Sequence, residues 1–579
     1  MVETVALRGR LRSRLEGSPL ALHALLLAIV LAALIPFVGT QATFSSDEGL
    51  AMLQAKALAS GRGWYFLHPF PQVDPDRVHF PFDGTRGTKG ITAFAKHPAH
   101  SLLLAGAYRV GGKGAVIGLS ITGTVLAAWF SGLIARRLRA GLGPPALWAV
   151  GLASPLLFDS FLALGHTLAA AAAAGATLLG LVAVERRSWL AAVAVLPCIA
   201  LGVFLRTEAA VFGVGLALAV ATVVLTTRSL AKARWPGIVA AASALAGALV
   251  ARSVEVAWMK RIVGTGVADL SAGVSRPPVH PLWTRIYAVI RTWLRPNGQN
   301  SNALVRCLLI LMVVEVASLA WAMRRERKNG AASATAGRFA ALAASSAVAA
   351  LAIDRYNDIG GLLVAFPVVV AGAVLLRRAD FESATARLLA MTFVVLAAGV
   401  AALEGAAGAG PEWGGRYLAI GLPILAPLVL LPLAELRSQV SVRSWRFTAA
   451  ALAVCTVSVS FMGLTSLQRY HRDTETFLTL IDRVAPANFE QTPVIVTTAF
   501  WFPRLAWASY DRQRWLVTTT QRLGDLMDRV VGAGVRQFTL VTEDYNGVQR
   551  LVPSDIRILQ RYGTPDGKGM QILVVASSA

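Results

Sequence analysis

Charge is scarce in this chain, and acid is scarcer than base. Only 15% of the 579 residues are charged, with 32 acidic residues against 55 basic ones. Soluble domains carry about 25% charged residues, so this deficit, with 55% hydrophobic residues and a mean hydropathy of +0.58, excludes a soluble globular class. Cysteine is rarer still. Cys198, Cys307 and Cys455 all lie inside apolar stretches without paired spacing, which argues against disulfides and thiolate metal sites. A P-loop is missing, as is a glycine fingerprint between a strand and a helix, so a nucleotide-driven pump has no support. In a soluble protein the formal charge of +23 would point to nucleic acid. Here the basic residues sit largely in short loops between apolar runs, where they orient a chain in a bilayer. The expected partners are membrane lipids, and nucleic acid is not among them.

A helix needs about 20 apolar residues to cross about 30 Å of hydrocarbon, and roughly thirteen such segments can be laid out. They run approximately over 19–40, 114–135, 142–160, 167–184, 188–205, 209–227, 236–254, 303–322, 334–352, 359–376, 388–403, 417–436 and 447–465. Every second short loop is basic, as in Arg136, Arg137 and Arg139, then Arg186 and Arg187, then Arg228, Lys232 and Arg234. These loops and the Arg-rich N-terminus are expected to face the cytoplasm. With an odd number of spans, loop 41–113 and everything from Ser466 onward then lie outside. The first apolar run is longer than a usual signal-peptide core and reads as a retained anchor. The expected domains are a membrane domain over 1–465, carrying the long exterior loop, and an exterior domain over 466–579.

Three exterior regions are too large to be connectors. The first, 41–113, opens on a stretch from Asp47 to Ser60 whose Leu50, Leu53, Ala57 and Leu58 predict an amphipathic helix lying in the interface. A Pro- and aromatic-rich irregular segment follows, then an apolar helix over Pro98–Val110. The second, Glu255–Asn302, holds Trp258, Trp283 and Trp293 with scattered Arg, a mixture suited to an interface. In the third, 493–499, 515–520, 538–543 and 571–576 read as buried strands, with a helix over Gln521–Gly534 between them. That pattern predicts a small α/β domain.

Three short segments concentrate chemistry. Gln41–Gly49 reads QATFSSDEG and places Asp47 and Glu48 just beyond the outer end of the first span. Ser45-Ser46-Asp47-Glu48 also fits a capping box, with Ser45 as N-cap and Glu48 three residues on. Acid in a first helical turn contributes about 0.3 to 1 kcal/mol by itself, so capping and catalysis are both open, and Asp47 is the member free to point away from the cap. Lys96-His97-Pro98 opens the apolar helix, offering either a lysine snorkelling to headgroups or a phosphate contact. His97 and His100 are three apart without a carboxylate partner pattern, so they are not assigned as metal ligands. Finally, Trp413-Gly414-Gly415-Arg416-Tyr417 leads into a span. An arginine at that boundary is expected to have a partner, either a phosphate oxygen or Glu404 or Glu412. Arg206 and Glu208, and Asp354, Arg355 and Asp358, are further outer-face charges that could form internal ion pairs. Asp159 and His166 flank another exterior turn and are expected to be solvated.

The acidic pair after a first helix, the K-H-P-A opening of the next helix and W-G-G-R-Y followed by Pro423 resemble the GT-C superfamily of lipid-linked sugar transferases. That superfamily includes protein mannosyltransferases, lipid A aminoarabinose transferases and actinobacterial arabinosyl- and mannosyltransferases. The K-P-P-L type segment is imperfect, since Ala99 replaces its second proline. The resemblance implies an α-helical polytopic membrane protein with about thirteen spans and a small exterior α/β domain. It implies a polyprenyl-phosphate sugar donor, and a cell-envelope glycan, glycolipid or protein as acceptor. Asp47, with Glu48, would be catalytic, and Lys96, Arg416, Tyr417 and Arg206 would meet the phosphate. His97, Glu208, Asp354, Arg355 and Glu412 are supporting candidates. No ligand cluster encodes a metal, and a divalent cation stays open as a cofactor. The alternatives are a polyprenyl-linked polysaccharide polymerase or ligase, which would rely on paired exterior arginines, and a lipid or glycan flippase. A flippase would more typically show inverted repeats and ionisable residues at the midplane.

Overall fold

A computed structural model of the chain describes residues 19–39, 41–82, 85–94, 96–264, 282–294, 361–403, 413–439, 442–485, 492–563 and 570–577. The expected spans 303–322 and 334–352 lie outside these residues, as do Asp354, Arg355, Asp358, Glu404 and Glu412. The chain divides into two compact units. One comprises Met1–Val38, Gly114–Ala257 and Ser271–Gln468; the other comprises Gly39–Lys113, Trp258–Leu270 and Arg469–Ala579.

The described residues of the first unit are helical in their regular structure. Seven helices among the described residues are long and apolar enough to cross a membrane, with shorter apolar helices at Ala140–Ala153 and Trp189–Leu205. Each expected span within the described residues falls on helix, though not always on one unbroken helix. The segment 142–160 is divided into Gly143–Trp148, a π-helical turn at Ala149–Ala153 and a short helix at Leu156–Asp159. The segment 359–376 is interrupted at Phe366, before Pro367. A proline ring disfavours the α conformation for the residue before it, and Phe366 sits instead at φ −137°, ψ 72°.

The helix Leu20–Val38 shows why a bilayer is needed. Leu20, His23, Ala24, Leu27 and Leu31 form a buried stripe, while Leu22, Leu25, Leu26 and Ile29 stay exposed on the opposite side. A helix apolar on both its faces belongs in lipid. At the centre of the unit, His166–Glu185 buries the whole run Ala169–Ala174. Small side chains let neighbouring helix backbones approach closely, which is how helices associate where lipid removes the hydrophobic drive.

The second unit holds eight short strands among the described residues. Tyr65–Phe66 (β1), Thr85–Gly87 (β2) and Gly90–Thr92 (β3) make a small antiparallel sheet with β3 central. Val494–Thr497 (β4), Arg514–Val517 (β5), Gln537–Thr542 (β6), Ile556–Tyr562 (β7) and Gln571–Ser577 (β8) make a five-stranded sheet in the order β5-β4-β6-β8-β7. β4 is parallel to both β5 and β6, and β8 is antiparallel to β6 and β7. Leu523–Gly532, the expected helix, packs Leu523, Leu526, Met527 and Val530 on the face carrying Val494, Val496, Leu516 and Phe538. Phe70 and Val73, from the first long loop, enter that same core. The opposite face receives the short helix Phe502–Leu505, with Phe502 against Trp515 at 5.8 Å between ring centroids. β7 was not expected, because it is an edge strand with most of its side chains in water, and so lacks an apolar run.

Asp511 ties the loop to this domain. It accepts from Arg62 at 2.9 Å and pairs with Lys56 at 3.0 Å. Burial alone would raise the Asp511 carboxyl, but the bonds from Arg62 and Lys56 outweigh it and hold it below the usual carboxylate range. A carboxyl depressed in the folded state adds stability above its unfolded value, about pH 4. That stability is lost as pH falls through the folded value. Asp511→Asn should therefore flatten the acid limb of thermal melts below about pH 5, by less than about 1 kcal/mol because the bridge is partly exposed. An unchanged acid limb would assign the loss to other carboxylates.

Candidate active site

Asp47 and Glu48 stand in the first turn of a helix that runs over Ser46–Ala59, in the second unit. Ser45 is the N-cap, and its hydroxyl accepts the Glu48 N–H at 3.2 Å. The reciprocal half of the expected capping box is shifted by one residue. Glu48 Oε2 accepts the N–H of Phe44, at 2.7 Å, rather than that of Ser45. Glu48 is completely buried, whereas Asp47 is half-buried.

The cation set against Glu48 is Lys113. Its ammonium lies 3.7 Å from Glu48 Oε1 and donates to the carbonyl of Ala42. Lys113 follows a break at Gly111–Gly112, where Gly112 takes φ 61° and separates the expected helix 98–110 from the span that begins near 114. Sequence reasoning passed over Lys113. The available signal was an ionisable residue at the edge of an apolar run, which must have a partner when buried.

The helix after Asp47 differs from its expected setting. Leu50, Ala51, Met52, Leu53, Gln54 and Ala55 are all buried, so it is enclosed by protein and does not float with one face in lipid. Gln54 takes part in this enclosure by accepting the N–H groups of Ala93 and Phe94, at 3.1 and 3.2 Å. At Gly49 the carbonyl of Arg504 approaches so closely that any Cβ would collide with it. The sequence pattern Leu50, Leu53, Ala57 gives the period of the helix but not the identity of what covers it.

Lys96 is exposed at the mouth of the helix that begins at Pro98, while His97 and His100 are buried with Phe94 beside both rings, at 6.5 Å between centroids. Among the described residues no group of three or more His, Cys, Asp or Glu side chains is placed to hold a metal ion.

In the first unit, Arg206 and Glu208 form a two-pronged ion pair, at 2.6 and 3.1 Å. Arg416 opens the 3₁₀ turn Arg416–Gly421 and donates to the Tyr417 hydroxyl at 3.1 Å, with its guanidinium 4.9 Å from the centroid of that ring. Gly414 and Gly415, just before it, both have left-handed φ, 73° and 66°. A Cβ on Gly415 would meet the Thr292 carbonyl at 2.5 Å, and one on Gly414 would strike Pro155. The paired glycines therefore turn the chain and deliver Arg416. Gly415→Ala should cost at least about 1 to 2 kcal/mol in backbone strain and lower the melting temperature. Gly141→Ala, where a methyl meets nothing within 4 Å, should melt nearly as wild type. Equal melting of the two variants would remove the constraint.

Asp159 and His166 are not solvated as expected. They are 1% and 2% exposed, with His166 Nδ1 3.9 Å from Asp159 Oδ2. The turn between them folds inward because Phe158, Phe161 and Leu162 are buried, and the Ser160 hydroxyl bonds that of Thr124 at 2.7 Å.

No protein-family model matches the chain, and no curated protein sequence does. Solved structures do match. Apo ArnT from Cupriavidus metallidurans aligns with a TM-score of 0.52 at 12% identity, covering 96% of this chain and 97% of that one. ArnT from the same organism bound to undecaprenyl phosphate gives 0.43 at 15% identity, with the same coverages. The oligosaccharyltransferase AglB from Archaeoglobus fulgidus, in complex with an inhibitory peptide and a dolichol-phosphate, gives 0.49 at 12% identity, covering 90% of this chain and 69% of that one. The likeness to apo ArnT extends over nearly the whole of both chains. The chain shares the fold of apo ArnT, and its seven candidate spans among the described residues make it a multi-pass membrane fold.

Proposed function

We propose that this chain is a membrane glycosyltransferase that moves a sugar from a polyprenyl-phosphate-linked donor to an acceptor hydroxyl, at the exterior face of the cytoplasmic membrane, with inversion. The observation that carries the reading is the division of labour in the acidic pair. Glu48 is completely buried against the Phe44 N–H and Lys113, and Asp47, half-buried, stands beside it in the first helical turn.

In this mechanism the Asp47 carboxylate takes the proton of the acceptor hydroxyl as that oxygen bonds to the anomeric carbon. The bond between that carbon and the donor phosphate oxygen breaks on the opposite side, and polyprenyl phosphate departs. Arg416 and Lys96 are assigned to the charge that grows on the leaving phosphate, which a guanidinium meets bidentately. Glu48 and Lys113 hold the helix start in place. Outside the membrane no nucleotide sugar is supplied, so a lipid-anchored donor provides the driving force. The acceptor is a cell-envelope glycan, a glycolipid or a protein hydroxyl.

The test is transfer by purified protein in lipid, using radiolabelled polyprenyl-phosphate sugars and crude envelope acceptor. Labelled product with inverted anomeric configuration is expected from at least one donor. Retention would exclude the single-displacement mechanism, and no transfer with any donor would return the chain to the flippase reading.

A further inference from the structure

The strand order of the C-terminal sheet creates a site that none of the sequence motifs marks. From β4 the chain passes over the Trp515 face to β5, on one side, and from β6 it passes over the Leu516 face, where Val548 is buried, toward β7 and β8, on the other. Beyond the carboxyl ends of β4 and β6 the connections therefore part in opposite directions. In open α/β sheets ligands bind in the crevice at such a switch point.

The residues placed there suit one chemistry. Thr498 and Thr542 bridge the two strand ends, hydroxyl to hydroxyl, at 2.9 Å. Next to them, Phe500 is 54% exposed and Trp501 is half-buried, and the Trp501 indole N–H donates to Glu543 Oε1 at 3.1 Å. Glu543 itself is exposed. An aromatic plate beside an exposed carboxylate and two hydroxyls offers a flat apolar surface together with acceptors for hydroxyl groups. A sugar ring, apolar across its face and hydroxylated around its edge, matches that combination. An apolar ligand would not use the carboxylate, and the cation beside the plate, Arg504, is already engaged over the Phe500 ring, 5.3 Å from its centroid.

The crevice is also joined to the acidic helix. The segment that leaves β4 carries Thr498, Phe500 and Trp501 and then Arg504, whose carbonyl abuts Gly49, two residues from Asp47. The segment that a ligand at the switch point would touch thus packs directly on the helix that bears Asp47.

We propose that this crevice binds a carbohydrate, the glycan acceptor of the transfer reaction. The assignment of acceptor rests on the transferase reading, whereas binding of sugar does not.

The experiment uses full-length protein in lipid nanodiscs without donor lipid. Tritiated oligosaccharides of hexoses and of pentoses, and a Ser/Thr-rich peptide of similar size, are tested by equilibrium dialysis. At least one oligosaccharide should bind, Trp501→Ala should weaken it by at least about tenfold, and Trp501→Phe should restore most of the loss. Glu543→Gln should weaken it by a smaller factor, and Gly141→Ala, in the first unit, should leave it unchanged. Equal binding by wild type and Trp501→Ala, binding of the peptide alone, or no oligosaccharide binding would each overturn the proposal. Transfer assays separate the two claims. Sugar binding without transfer by wild type would sink the transferase reading and leave the crevice, while transfer undiminished in Trp501→Ala would sink the acceptor assignment alone.

Discussion

Asp47→Asn should lower the rate of sugar transfer by about 10² to 10⁴-fold, the range that general-base catalysis contributes. The amide is nearly the same shape as the carboxylate and cannot take the acceptor proton. At the second position of a helix capped by Ser45, its structural cost is limited to the lost charge–dipole term, about 0.3 to 1 kcal/mol. Rate and stability therefore separate. The loss should appear in kcat with donor KM nearly unchanged, because the proton moves only in the transition state. Thermal melting should shift by a few degrees at most. A variant that keeps more than a tenth of wild-type turnover would take Asp47 out of the chemistry and leave it as helix-start charge.

Glu48→Ala should act in the opposite way, through stability. It removes the partner of a buried ammonium and leaves Lys113 with the Ala42 carbonyl as its remaining neighbour on that side. It also deprives the buried Phe44 N–H of its acceptor. Breaking one half of a buried ion pair costs about 3 to 5 kcal/mol, since the other charge stays out of water uncompensated. The double variant Glu48→Gln, Lys113→Met should recover much of that loss, because the amide can still accept from Phe44 and no buried charge remains. Chemical denaturation in detergent micelles, run as a double-mutant cycle, measures both. A single variant within about 1 kcal/mol of wild type would mean that the pair is solvated.

Together these two variants assign the neighbours different work. The sequence presents Asp47 and Glu48 as equivalent, two acids in one helical turn. Their difference arises from which side of the helix start faces Lys113, and Lys113 lies more than sixty positions further along the chain.

Much of the fold was legible beforehand, for a physical reason. In a bilayer every backbone polar group must be satisfied within its own segment, so apolar length alone dictates helix. The runs from Leu20, His166, Glu208 and Ala384 accordingly fold as continuous helices near their expected limits. The C-terminal strands were legible because Val494–Thr497 and Gln537–Thr542 are buried on both faces of a sheet, leaving short uninterrupted apolar runs. W-G-G-R-Y was legible as the lead into a span, and the structure added that its two adjacent glycines take left-handed φ and turn the chain.

What composition and periodicity could not carry is contact between distant segments. The chain by itself determined that the protein lives in a membrane, where most of its spans fall, that an acidic pair follows the first span and that an α/β sheet closes the C-terminus. These follow from local rules of length, period and capping. Only the tertiary structure decided that Phe70 and Val73 of the first loop complete the core of that sheet, that the Arg504 carbonyl closes on Gly49, and that Lys113 faces Glu48. Hydrophobicity fixes that a residue is buried, but the partner that buries it is chosen by packing across hundreds of residues, which no local pattern encodes.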